Sequence, residues 1–322
     1  MAANPARRRF IGPSWCALAL LALAAAVRAF AAAPAVVKLA SWNLEWFMTP
    51  NMFNSLKGGC THDDQAHRAR PRSIPCDVAA KLERSATDIA ALASIARTLD
   101  ADVIAVQEVD GQAAARQIFP RHEFCFTGGL AVQNTGFAIR RGLPFRCGPD
   151  LTELALGGDL RRGVTMVLYP GTRHELHLLG VHLKSGCTRH DLDSHEKACA
   201  RLARQVPALH DWLASEQQLG HRYAVLGDFN RDLLAETGEG LWAQLSLGAP
   251  GLELVNTARG AEFRNCYAGQ THTGFIDYIL LSASLERSLM RGSFQRLAYS
   301  AADAWRLKLS DHCPVAIRLR LD

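Results

Sequence analysis

Short apolar runs of strand type recur along this chain, and several of them stop at an acid, an amide or a histidine. Val36-Val37-Lys38-Leu39-Ala40-Ser41-Trp42 alternates in the manner of a strand, and Val103–Val106 is a short apolar run of the buried type. Thr135–Ile139, Val164–Tyr169, Glu175–Leu183, Tyr223–Leu226, Phe275–Leu281 and Pro314–Leu319 read as further strands. Two helical patterns lie among them. One runs from Val78 to Leu99, with Leu82, Ala86, Ile89, Ala93 and Ala96 at helical spacing and Asp100 closing it. The other runs from Ser194 to Leu213, with Leu202, Val206, Leu209 and Leu213 on one face and Pro207 predicted to kink it. Strands spread from end to end, with helices between them and no linker or repeat, predict one α/β domain whose sheets are covered by helices.

The N-terminus has a different character. Arg7, Arg8 and Arg9 precede an apolar run from about Trp15 to Val27, and small residues follow at Ala29-Phe30-Ala31. A basic segment, a short apolar segment and an A-x-A site are the layout of a secretory signal peptide. The run falls short of the roughly 20 residues that span a bilayer. Residues 1–31 are therefore expected to be a leader and 32–322 a single domain, periplasmic or secreted, with no stable membrane anchor after cleavage. The basic run also loosely resembles a twin-arginine signal, which leaves the export route open.

That reading changes the charge and the cysteine count. The whole chain has 36 Lys+Arg against 31 Asp+Glu, a net +5, and nine cysteines. Removal of Arg7, Arg8, Arg9 and Arg28 leaves 32 basic against 31 acidic residues, a net +1. Bulk charge is then no argument for a polyanionic partner. Cys16 leaves with the leader, and an even count in an exported chain reads as a disulfide framework. Local spacing suggests Cys60–Cys76 and Cys187–Cys199, with Cys125–Cys147 and Cys266–Cys313 left over. The Gly/Cys/His/Arg/Pro-rich stretch from Thr49 to Pro75 is long for a loop in a compact domain, so it is expected to be functional or tied by a disulfide. No cysteine or histidine cluster has zinc-finger spacing, and there is no glycine-rich phosphate loop or GxSxG elbow.

The chemistry sits where the strands end. Asn43 and Glu45 follow the first strand, and Glu108 follows Val103–Val106. His182 and Lys184 end the run Leu178–Val181, and Asp228 and Asn230 follow Val225-Leu226. Asp277 interrupts the apolar run from Phe275 to Leu280, and Asp311 and His312 precede the last strand. Taken singly, such residues are more often turn formers or satisfied histidines. Asp277 is harder to dismiss, because a carboxylate in an apolar run needs a partner. Together they could line one cleft, where hard oxygen ligands suit Mg²⁺, Mn²⁺ or Ca²⁺ and two histidines handle protons and phosphate charge. Metal-assisted phosphoester hydrolysis needs that combination.

In order, SWNLE, VQE, VHLKSG, GDFN, IDYIL and SDHCP resemble blocks of the endonuclease/exonuclease/phosphatase superfamily, the DNase I-like group, from about Lys38 to Leu319. The resemblance implies a four-layer α/β/β/α sandwich of two packed mixed sheets with the active site at one edge. It implies that Glu108 is the principal metal ligand, with Asn43 and Glu45 beside it and Asp311 binding or supporting the metal. Family members commonly have Asp where Glu45 stands. Asp228 would orient or activate the attacking water, and Asn230 would hold the phosphate. His312 would be general base or phosphate clamp, oriented by Asp277. His182 would contact the phosphate or protonate the leaving oxygen, so the two histidines are assigned jointly.

The superfamily hydrolyses nucleic acids, phosphoinositides and phospholipids, so substrate must be read elsewhere. Lys184, Arg161, Arg162, Arg231 and Trp305-Arg306-Leu307-Lys308 lie near the blocks and suit a phosphate-tracking groove with a stacking ring. Arg68, Arg70 and Arg72 in the long loop are weaker candidates. In the DNase I branch an arginine two positions after the metal-binding Glu enters the minor groove; here Asp110 stands there. No lysine cluster for an inositol phosphate and no apolar aromatic hairpin for a membrane is evident. The expectation is an exported, weakly specific nuclease using Mg²⁺, Mn²⁺ or Ca²⁺, with a phosphatase or phospholipid phosphodiesterase as alternatives. A non-catalytic binding module on the same fold is the alternative from another class. No protein partner is inferable.

Overall fold

Alternation along the strands decides the layers. In β1 (Val36–Phe47), Ala40, Trp42 and Leu44 pack with Leu92 and Leu99 of α3 (Ala86–Leu99) and with Ala114, Ala115 and Ile118 of α4 (Gln112–Ile118). In β7 (Leu176–His182) and β8 (Tyr223–Asp228), Leu179, Val181, Tyr223 and Val225 pack with α5 (Lys197–Ala203) and α6 (Val206–Gln218). With a side-chain period of two, the intervening residues face the other way. Leu39, Ser41 and Asn43 of one sheet therefore meet Leu178, Gly180, His182, Ala224, Leu226 and Asp228 of the other. Gly180 marks how closely the sheets approach. A Cβ there would lie 2.8 Å from Val164 Cγ1 and 3.3 Å from the ring of Phe137 across the interface.

The structure, a computed structural model, describes Met1 and residues 36–62 and 72–321, except 130, 159, 246, 268–269 and 271–272. Apart from Met1, the expected leader lies outside the described residues, as do Arg68 and Arg70. The remaining strands are β2 (Val103–Val109), β3 (His122–Phe126), β4 (Asn134–Arg140), β5 (Phe145–Cys147), β6 (Val164–Leu168), β9 (Leu254–Asn256), β10 (Asp277–Ser282), β11 (Gln295–Arg296) and β12 (Val315–Arg320). They form two six-stranded sheets, ordered β11-β12-β1-β2-β4-β3 and β5-β6-β7-β8-β10-β9. Each is mixed. The pairs β1/β2 and β7/β8 are parallel, whereas β1/β12 and β8/β10 are antiparallel. Helices cover both outer faces, so the fold is the expected four-layer sandwich.

Local signals explain where the elements differ from expectation. The helical pattern from Val78 to Leu99 breaks into α2 (Cys76–Lys81) and α3, because Ser85 caps α3 in a capping box with Asp88. The second pattern breaks at Arg204–Gln205, and Pro207 lies in the first turn of α6 instead of kinking a longer helix. Proline is tolerated there because its missing N–H would have had no intrahelical acceptor. Asp277 opens β10 instead of interrupting it. The shorter strands β3, β5, β9 and β11 left no clear pattern.

Four cysteine pairs lie at disulfide distance: Cys60–Cys76, Cys125–Cys147, Cys187–Cys199 and Cys266–Cys313. The first closes the long loop after α1 (Pro50–Lys57). The last holds the segment before β12, which carries His312. Among the described residues no helix is long and apolar enough to cross a membrane.

Candidate active site

Strand register brings the second sheet's polar residues into one row. His182 at the end of β7 is the partner of Asp228 at the end of β8, and Asp228 is the partner of Asp277 at the start of β10. All three point between the sheets at one edge. Gly227 makes this spacing possible, since a Cβ there would collide with the Val181 carbonyl. From the first sheet, Asn43 arrives at the same edge, and Glu108 follows on β2. Register shifts interrupt β1/β2 between Asn43 and Phe47 and β2/β4 between Val106 and Val109. Irregularities of this kind re-aim side chains that a regular pleat would bury or expose.

The backbone around the cluster is strained. Glu45, Trp46, Glu108 and Asn230 have φ values of 48°, 49°, 60° and 53°. Each left-handed non-glycine residue costs about 1–3 kcal/mol and persists only where the surroundings enforce it. At these positions the surroundings are the other members of the cluster. Asn43 Oδ1 accepts from the Glu45 N–H at 2.9 Å, and Glu108 Oε2 accepts from the Trp46 N–H at 3.1 Å. Asp228 Oδ1 accepts from the Asn230 N–H at 2.8 Å.

Asn43 joins the two halves. Its Nδ2 donates to Glu108 Oε1 at 3.3 Å and to Asp228 Oδ2 at 3.1 Å. His182 Nε2 sits between the same two carboxylates, 3.6 Å from Glu108 and 3.5 Å from Asp228. Asn230 Nδ2 donates to Asp228 Oδ2 at 3.0 Å. On the far side, His312 Nδ1 lies 2.8 Å from Asp277 Oδ2, and its Nε2 lies 3.8 Å from Asp228. Asp311 donates its N–H to Glu45 Oε2 at 3.1 Å, and its half-exposed carboxylate reaches toward His312 at 3.9 Å.

This much negative charge in a buried edge shifts the protonation equilibria. Burial pushes the Glu45 carboxyl up to about 8, with Asp311 adding to the rise and Arg84 opposing it. Burial also pushes Asp228 up to about 7, against the pull of His312. The same burial disfavours a charged His312, yet Asp277, Asp228 and Asp311 together hold its pKa well above the ordinary value. Ligand atoms of Asp228, Asp277 and His312 all lie within 4.8 Å of one another, and Asp277 Oδ1 is buried without a hydrogen-bond partner. Carboxylate and amide oxygens with excess negative charge and an orphaned buried oxygen fit a hard divalent cation.

Apart from Lys184, the polar residues singled out along the strands therefore converge here, although Asn43, Glu45 and Glu108 lie within β1 and β2 and do not follow them. The expected substrate contacts are more scattered. Trp305, on α7 (Ala301–Arg306), is 90% exposed, and Arg306 beside it is also exposed. Arg162 is half-exposed and paired with Asp150 at 3.2 Å, and Lys184 turns its Nζ to the Ser185 carbonyl at 2.6 Å. Arg161 is buried beneath the cluster, donating to the Leu183 carbonyl at 2.8 Å, with the Glu108 and Asp228 carboxylates favouring its charge against burial. It supplies positive potential from below and is not a surface contact. Arg231 is also buried, tied to Glu236 and to the Cys187 carbonyl, so the loop uses it. Arg72 pairs with Asp110 at 2.7 Å.

Several positioning residues escaped the sequence reading. Arg84, buried between α2 and α3, donates to the carbonyls of Glu45 at 2.7 Å, Lys308 at 2.9 Å and Leu309 at 2.8 Å. It clamps the Glu45 turn to the segment that carries His312. Ser310 Oγ donates to the Asn43 carbonyl at 2.7 Å and accepts from the His312 N–H at 3.0 Å. Tyr299 and Trp42 both donate to the His312 carbonyl. Ser310 sits inside a recognisable block; Arg84 carried no signal, because its partners are distant in sequence.

The Exo_endo_phos model, which describes the endonuclease/exonuclease/phosphatase family, matches residues 40–312. The chain belongs to this family. Members of the endonuclease/exonuclease/phosphatase family are metal-dependent phosphoester hydrolases, and this chain is an enzyme of that class, which sets aside the non-catalytic module. Among solved structures, an endonuclease/exonuclease/phosphatase family protein from Bacteroides thetaiotaomicron is 16% identical with a TM-score of 0.51, covering 89% of this chain and 95% of that one. The 3′ phosphatase NExo from Neisseria, bound to a product DNA hairpin, is 16% identical with a TM-score of 0.54, covering 88% of this chain and 99% of that one. Humanized D. rerio TDP2 is 13% identical with a TM-score of 0.53, covering 88% and 98%. At such identities the likeness is one of fold. No curated protein matches the sequence.

Proposed function

We propose that the mature chain is an exported, weakly specific nuclease that cleaves nucleic acid, DNA first of all, with Mg²⁺ as its working metal. The observation that carries the nucleic-acid reading is Trp305. A tryptophan 90% exposed, beside Arg306 and five positions before Ser310 in the chain, offers a stacking face for a base. A DNA-bound 3′ phosphatase among the proteins of similar fold supports the same reading. Four cysteine pairs at disulfide distance support export.

In this reading Glu108, Asn43, Glu45 and Asp311 hold the metal, which supplies Lewis-acid stabilisation of phosphate charge. Asp228 accepts a hydrogen bond from the attacking water and aligns it with phosphorus. Asn230 and His182 donate to the phosphate oxygens. His312, fixed by Asp277 through Nδ1, presents Nε2 to the reacting phosphate and stabilises its charge as an imidazolium. Trp305, Arg306, Arg162 and Lys184 contact the strand outside the reacting phosphate, and Arg161 adds positive potential beneath it.

The test incubates purified mature protein with plasmid DNA, RNA, sphingomyelin and an inositol phosphate, each with Mg²⁺, Mn²⁺ or Ca²⁺ and with EDTA. Metal-dependent cleavage of DNA, reduced in Trp305→Ala, is expected. Turnover of the lipid or inositol phosphate without nucleic-acid cleavage overturns the substrate. Fractionation with N-terminal mass analysis checks export; an intact N-terminus in the cytoplasm contradicts it.

A further inference from the structure

A second cluster of ligating side chains lies at the other end of the second sheet. His177 is the second residue of β7, five residues before His182, so about 17 Å of extended strand separates it from the catalytic edge. Glu175 stands in the turn that enters β7, Glu216 in the last turn of α6, and His221 in the connection from α6 to β8. His177 Nε2 lies 3.0 Å from Glu175 Oε1. His177 Nδ1 and His221 Nδ1 converge on a single oxygen, Glu216 Oε2, at 2.8 and 2.7 Å. The two imidazoles stack with centroids 3.9 Å apart.

We propose that Glu175, His177 and His221 form a second metal site, for a borderline transition-metal ion of the Zn²⁺ type, with Glu216 holding both imidazoles from outside. Three observations carry it. Ligand atoms of Glu175, His177 and His221 lie within 4.8 Å of one another, close enough for one ion to gather them once the stacked rings splay apart. Glu216 engages each ring through Nδ1, the arrangement in which an outer carboxylate fixes the tautomer and leaves Nε2 for a metal. Charge balances as well, since two carboxylates offset one divalent ion while both imidazoles stay neutral. Two imidazoles with one carboxylate suit Zn²⁺ far better than Mg²⁺ or Ca²⁺, which take oxygen.

Without an ion the cluster holds itself together with a proton. The hydrogen bond to Glu216 raises the His177 pKa, and the imidazolium spans both carboxylates. Binding releases the Nε2 proton to solvent, and the metal takes its place between His177 and Glu175. Three protein ligands leave a fourth position for water, and solvent reaches it because Glu175 and His221 side chains are each 31% exposed. A groove of about 470 Å³ opens beside His177 and Glu216, bordered by Trp212 and Met166. The ion would tie the end of α6 to the start of β7, a structural clamp remote from catalysis.

The experiment measures Zn²⁺ retained by the full protein after dialysis against limiting ZnCl₂, in excess Mg²⁺. The variants are His221→Gln, His177→Gln/His221→Gln and, to disable the catalytic metal ligands, Glu108→Gln/Asp311→Asn. One equivalent is expected to persist in the catalytic double variant and to vanish in His177→Gln/His221→Gln. Co²⁺ should give a tetrahedral visible spectrum in the catalytic double variant, and Glu216→Gln should weaken Zn²⁺ binding about 10–100-fold. Retention of that equivalent by His177→Gln/His221→Gln, or its loss in the catalytic double variant, overturns the site. Should the double histidine variant misfold by circular dichroism, the half-exposed His221→Gln alone decides, by the same loss or retention.

Discussion

Replacing Asp277 with Asn removes one negative charge from the cluster while keeping its shape. The carboxylate now lies 2.8 Å from His312 Nδ1, inside the protein. Taking the charge centres as about 4 Å apart and an effective dielectric near 20, the attraction to a His312 imidazolium is about 4 kcal/mol. If that imidazolium stabilises phosphate charge in the transition state, its loss corresponds to roughly 10³-fold in kcat. That magnitude lies within the usual range for a positioned acid–base group. The sign is fixed by burial, which disfavours the charged ring and is outweighed only by the surrounding carboxylates. In the variant the His312 proton should therefore be lost at lower pH, as seen by NMR titration of the imidazole. KM should move little, since Asp277 is buried behind the ring. The assay is steady-state cleavage of a fluorescent oligonucleotide across pH, with circular dichroism to confirm the fold. A folded Asp277→Asn enzyme within about tenfold of wild type would refute the coupling of this carboxylate to the chemistry.

Other consequences follow from the same geometry. Glu108→Gln should weaken Mg²⁺ binding beyond the about 10–100-fold that changes to outer partners cost, measured by calorimetry. Glu45 and Asp228, raised to about 8 and about 7, hold protons in the metal-free fold that the unfolded chain releases above the ordinary carboxylate range. Metal-free stability should therefore fall as pH rises through that window. Mg²⁺ affinity should rise over the same window with proton release, read by calorimetry in buffers of different ionisation enthalpy. Arg84→Met keeps the apolar stem but leaves Glu45 without its buried cation and three carbonyls without a donor. Urea unfolding should show a loss of about 3–5 kcal/mol. Replacing Cys266 and Cys313 by Ala opens a 47-residue separation and should cost about 4 kcal/mol by loop entropy. Activity should fall too, because the bond anchors the residue after His312.

The sequence by itself determined the class of chemistry and singled out the residues proposed to carry it. Apolar runs around Asn43, Glu108, His182 and Asp228 mark strands by composition, and polar groups buried among them need partners, which marks them as a set. The blocks around them were enough to expect two packed mixed sheets. Cysteine spacing, likewise a local property, suggested Cys60–Cys76 and Cys187–Cys199 directly. Tertiary structure decided everything that depends on residues far apart in the chain. It turned Asp277 from an intrusion in an apolar run into the first residue of β10, beside Asp228 and against His312, 35 positions away. It buried Arg161 and Arg231 while leaving Trp305 exposed, a distinction composition does not make for arginines in neighbouring loops. It also brought Arg84 onto the carbonyls of Glu45 and Leu309, separated by 39 and 225 residues. Hydrophobic periodicity records which face of an element is buried; it holds no record of which distant element lies against that face. Register between strands, and the strained turns at Glu45 and Glu108, exist only once both sheets are paired.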